Sequence, residues 1–169
     1  MVEEDRAEYS VDVENEIKRL YAKVTTPPQL TDETAVQTSM QTELLRDKAF
    51  SRVIKLIYKE RCAFCGLSLK SKDGHPEVES AHIYPKRLHG ADDIRNGICL
   101  CRFHHWAFDA GWLAISDEYR LLVHEDIPQD GRYQQLMQLS NLPILLPENP
   151  QLNPHPLFLK AHRDIIFYT

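Results

Sequence analysis

Cys62-Ala63-Phe64-Cys65-Gly66, Glu79-Ser80-Ala81-His82-Ile83, Asn96-Gly97-Ile98 and Cys101-Arg102-Phe103-His104-His105 are the stretches whose reading decides this fold. Two sets of metal-capable residues interleave within them. Cys62 and Cys65 form one C-x2-C half-site, and Cys101 and His104 form a second pair with the same separation. Zinc takes four nitrogen or sulfur ligands tetrahedrally, and its structural sites are built from such paired knuckles. The spacing therefore predicts one structural Zn2+ pinning the base of a strand–loop–strand segment. Gly66 supplies the backbone freedom that a tight knuckle needs. Cys99, set apart by strand alternation, is expected in the core.

His82, Asn96 and His105 are left over once the zinc is satisfied. Val78–Ile83 and Ile98–Leu100 read as short strands, and Arg102–Asp109 reads as a short helix closed by Gly111. Such a unit brings all three residues to one face. Phosphodiester hydrolysis needs a base to activate water, a task suited to His, and a divalent cation to stabilise charge on phosphate. His105 can be a ligand of that cation, and Asn96 either a ligand or a loop-fixing hydrogen-bonding group. Lys86 and Arg87 follow His82 closely, either as holders of a substrate phosphate or as an exposed basic pair. Trp106 and Trp112 stand at core-like spacing and are expected to pack inside.

At this point the segment resembles the HNH endonucleases of the ββα-metal (His-Me finger) fold. The resemblance rests on Cys62-x-x-Cys65-Gly66, Glu79-x-Ala81-His82-Ile83-x-Pro85, Asn96-Gly97-Ile98-x-Leu100 and His105-x-x-Phe108-Asp109-x-Gly111. It is specific over about 62–116 and looser from Phe50 to Tyr58 and from Leu146 to Phe167. It implies an α+β fold and a metal-dependent hydrolase of DNA, akin to restriction and anti-phage nucleases. His82 would be the general base, Asn96 the middle residue of the motif, and His105 a ligand of catalytic Mg2+ or Mn2+. Ala81 departs from the pattern, because an acidic ligand often stands there. Glu79, one pleat away on the same strand face, is the candidate replacement; its alternative is a solvated carboxylate. Asp109 is expected to be a structural residue at the helix end. The competing reading is a zinc-stabilised module that binds nucleic acid or protein without catalysis.

Working outward, Thr42–Arg61 carries Leu45, Ala49, Val53, Leu56 and Ile57 near a helical period, so a helix is expected to pack on the segment that follows. Upstream, 1–41 reads as an acidic tail, a helix over Val13–Val24 stopped by Thr25-Thr26-Pro27-Pro28, and a polar linker. The nuclease domain is placed at 42–169, with its core at 62–116 and a C-terminal helical extension ending near Pro156–Phe167. His162 is explained there by helix docking. Charge does not decide the partner. The chain carries −5 overall, but residues 1–16 hold seven acids and one base, while 50–124 hold eleven bases and nine acids. Nothing approaches a membrane span or a leader peptide, so a cytoplasmic protein is expected. The N-terminal helical region is the candidate surface for a homodimer or a regulatory partner.

Overall fold

Ser39 starts the helix on which the rest of the chain is built, its hydroxyl accepting a hydrogen bond from the Thr42 amide. The computed structural model describes residues 2–32 and 39–169, with the side chains of the first helix described from residue 11. The expected linker therefore lies partly, at 33–38, outside the described residues.

The supporting helix, α2 (Met40–Ile57), is preceded by α1 (Val2–Lys23). The acidic tail is thus not a tail: its backbone is helical and continuous with the segment predicted from Val13. α1 lies along α2, with Val13 and Leu20 buried in the shared core and Glu14 paired with Arg52 at 2.7 Å. The apolar face of α1 is thus buried within the chain, at Val13 and Leu20. α2 itself buries Ala49, Phe50, Val53 and Ile54, a stripe rotated from the expected one, and Leu56 is 66% exposed. The helix ends before Arg61 because Lys59 and Glu60 adopt positive φ (54° and 53°), which the right-handed helix cannot contain.

A hairpin packs on that stripe. Strand β1 (Glu79–His82) runs antiparallel to β2 (Gly97–Leu100), with Glu79 opposite Leu100 and His82 opposite Gly97. Every residue of β2 is buried, as expected for a strand covered on both faces. Gly97 shows why this position has no side chain. A Cβ there would lie 2.2 Å from Ile54 Cδ1 and 2.9 Å from the Phe50 ring, so only glycine lets β2 approach α2. Helix α3 (Arg102–Asp109) follows at once, completing two strands and a helix in the predicted order. A second hairpin, β3 (Leu113–Ile115) with β4 (Leu121–Val123), then extends the core. The short α4 (Gln134–Met137) and α5 (Pro156–His162) close it, and α5 runs on into a wider turn over Arg163–Phe167.

The loop between β1 and β2 is long, yet it is tied down throughout. Leu30 and Asp32 exchange backbone hydrogen bonds with Ala91 and His89 at 3.1 Å, so that part of the expected linker is docked. Buried Arg95 forks onto Asp93 and donates to the carbonyls of Lys23, Val24 and Thr26, capping the C-terminal end of α1. The first helix is thereby coupled to the loop that carries the site.

Candidate active site

Cys62, Cys65, Cys101 and His104 present ligand atoms that all lie within 4.8 Å of one another. His104 Nδ1 is 3.4 Å from the Cys62 sulfur and 3.1 Å from that of Cys101. The two half-sites meet because the knuckle backbone is bonded to the hairpin end (Ala63 N to Cys99 O, 2.7 Å). Gly66 turns the knuckle with φ 74°, and Cys101 is the residue from which α3 starts. Hydrogen bonds from Cys101 and Cys65 hold the Cys62 thiol far below its ordinary range, whereas the same contacts push Cys101 up. Burial pulls His104 down, but its sulfur neighbours lift it to about 9. Four donors compete there for protons, and a dication resolves that competition by deprotonating the thiols. The donor set fits Zn2+. Cys99 is buried outside the cluster.

His82 and His105 of the second set, but not Asn96, line a cavity of about 470 Å³, bounded also by Ala81, Arg87, Asp109 and His162 among others. His82 sits at the end of β1 with its ring stacked on Phe50 (centroids 4.0 Å apart, planes at 10°). Its Nε2 is 3.0 Å from Asp92 Oδ1. Asp92 is 1% exposed, and a buried carboxylate is tolerated only when paired. Burial works to raise it, but hydrogen bonds from His82 and Lys86 hold it below the usual carboxylate range. With Nε2 committed, Nδ1 is the nitrogen of His82 left for other chemistry.

Lys86 accordingly departs from its expected role. Its Nζ lies 2.8 Å from both Asp92 oxygens and 3.3 Å from Asp47, so the amine balances the buried carboxylate rather than waiting for phosphate. Arg87 also lines the cavity, where its charge acts on Asp109 and no hydrogen bond or ion pair engages it among the described residues. Asn96 is fully buried; its Oδ1 accepts from the Tyr84 amide, and its Nδ2 donates to the carbonyls of Tyr84 and Ala91. Of the two roles open to Asn96, the geometry fills the loop-fixing one. The side chain lies outside the cavity wall that His82 and His105 share.

His105 is gripped from both sides. Glu79 Oε2 lies 2.9 Å from Nδ1, and Asp109 Oδ2 lies 3.4 Å from Nε2. Glu79 also meets Arg102 and is absent from the cavity wall. Its contact with Nδ1 orients the His105 ring, as carboxylates behind ligating histidines do. Once Nδ1 donates to Glu79, the lone pair of Nε2 faces a carboxylate. Two acceptors at that distance need positive charge between them, a proton or a cation. His105 and Asp109 thus present two ligand atoms that could hold a divalent ion between them.

Asp92, Asp109 as a ligand candidate, and His162 were missed as site residues. Asp109 was detectable: it stands four residues after His105 on one helix face. Asp92 carried no local signal, since its role depends on how the long loop folds back. Trp106 also corrects the sequence reading: it is 50% exposed beside Phe103, while Trp112 packs against Tyr133.

Residues 62–116 match a family model described as HNH endonuclease. Among solved structures, a "Modification dependent TagI restriction endonuclease" is similar, with a TM-score of 0.54 and 27% identity over 68% of this chain. The match covers 36% of that chain, so the present sequence spans about a third of its length. No curated protein matches.

Proposed function

We propose that this chain, whose residues 62–116 belong to the HNH endonuclease family, hydrolyses phosphodiester bonds in DNA with a His base and a divalent cation. The observation that carries the reading is one cavity shared by two differently prepared imidazoles. His82 is backed by a buried carboxylate at Nε2, and His105 Nε2 lies 3.4 Å from the Asp109 carboxylate on the cavity wall. His82 Nδ1 takes a proton from water as the water oxygen attacks phosphorus in line. The bond to the 3′ oxygen breaks, and that oxygen leaves with a proton from solvent, giving 5′-phosphate and 3′-hydroxyl ends. His105 Nε2 and Asp109 would hold Mg2+ or Mn2+, whose contribution is to stabilise charge on the phosphate and on the departing oxygen. Arg87 is free to meet a phosphate. A role in restriction or anti-phage defence follows from the restriction-enzyme neighbour only as part of this proposal.

The test is plasmid cleavage by zinc-replete protein with Mg2+ or Mn2+, followed by end analysis. Ligatable 5′-phosphate ends are expected; DNA binding without turnover in either ion would favour the binding-module reading instead. Asp92→Asn should lower cleavage by about 10²-fold or more while DNA affinity holds, because the His loses the anion that fixes its tautomer and orientation. Single-turnover rates check this, and an unchanged rate would remove Asp92 from the site.

No described helix is long and apolar enough to cross a membrane.

A further inference from the structure

His162 enters the cavity from α5, and neither the zinc cluster nor the proposed proton transfer uses it. The residue is 2% exposed, and its ring lies flat on Phe108, with centroids 3.8 Å apart and planes at 2°. Nε2 is 3.3 Å from the Phe108 carbonyl oxygen. A carbonyl only accepts, so Nε2 carries the ring proton and Nδ1 is a bare acceptor. That Nδ1 is buried and has no protein partner among the described residues. Leaving such an atom unpaired costs stability. Docking of α5 does not require the cost, since Phe158 and Leu159 are already buried in the core, and a phenylalanine would stack on Phe108 equally well without it.

Resting on the nuclease reading above, we propose that His162 is a positioning residue of the active site: its Nδ1 accepts a hydrogen bond from a water of the hydrated divalent cation held by His105 and Asp109. A small hard cation bound by two protein side chains keeps most of its waters, and those waters are strongly polarised donors in need of acceptors. Around the cavity, Lys86 and Arg87 can only donate, and Asn96 is spent on the loop. His82 Nδ1 is reserved for the attacking water. Alongside the Ser80 hydroxyl on the same wall, His162 supplies an acceptor without adding negative charge beside Asp109.

The experiment measures Mn2+ affinity of zinc-replete protein by electron paramagnetic resonance, with the thermal midpoint recorded in the absence of Mn2+. Wild type is compared with His162→Phe, which keeps the stack and removes the acceptor, and with His162→Asn, whose amide oxygen can replace Nδ1. His105→Ala identifies which Mn2+ is being counted. His162→Phe should bind Mn2+ about 10–100-fold more weakly with a midpoint equal to or above that of wild type, and His162→Asn should recover most of the affinity. Wild-type affinity in His162→Phe, whatever its midpoint, would make His162 a docking residue and overturn the inference. A wild type that binds no Mn2+ sensitive to His105→Ala would overturn the nuclease reading itself, and this inference with it.

Discussion

Replacing His82 with alanine is expected to reduce DNA cleavage by about 10²–10⁴-fold, the usual contribution of a positioned general base, while leaving the fold and DNA binding in place. The side chain is suited to such a clean experiment. Its ring stacks on Phe50 and bonds Asp92, but Asp92 keeps both contacts to Lys86 when the imidazole is gone. The buried carboxylate therefore remains paired. The assay is plasmid cleavage at saturating Mg2+ or Mn2+, with thermal melting as the control for folding. Equal cutting by the two proteins would remove His82 from the chemistry.

Removing zinc should have the largest effect on stability. Structural zinc contributes apparent binding energies on the order of 10–16 kcal/mol in zinc-finger peptides, and a whole domain is typically stable by only about 5–15 kcal/mol. Here the cluster joins the Cys62–Gly66 knuckle to the start of α3, the helix that carries His105 and Asp109. Chelation, or Cys101→Ser, is therefore expected to unfold the hairpin–helix unit and to abolish cleavage together with the near-ultraviolet circular dichroism signal. The wild type should hold one zinc per chain by elemental analysis. A melting curve indifferent to chelator would contradict the structural role.

The parts of this molecule that could be read in advance are those written in local spacing. The two x2 knuckles, the strands around His82 and Ile98, and α3 ending near Gly111 each depend on neighbours a few residues away. The parts that could not be read depend on distant segments. Lys86 was read either as a phosphate holder or as half of an exposed basic pair, because its sequence neighbours do not reveal that Asp92 is buried against it. The register of α2 was misjudged because hydrophobic periodicity cannot say which of several apolar faces the hairpin will cover, and Leu56 ended outside while Phe50 and Ile54 went in. Asn96 was assigned two roles by its chemistry, and only the folded loop shows its amide fully engaged. The surroundings of His105 were hidden for a related reason. Strand alternation put Glu79 on the correct face, but His105 turns its Nδ1 to that carboxylate and its Nε2 to Asp109.

The central claim is a division of labour between one ion that holds the scaffold and one that serves the chemistry. Anomalous diffraction from crystals grown with zinc and soaked in Mn2+, recorded at both absorption edges, tests it most directly. The account predicts zinc within Cys62, Cys65, Cys101 and His104, and manganese against His105 Nε2 and Asp109 in the cavity that His82 lines. A single ion shared by both sets, or manganese bound away from His105, would contradict it.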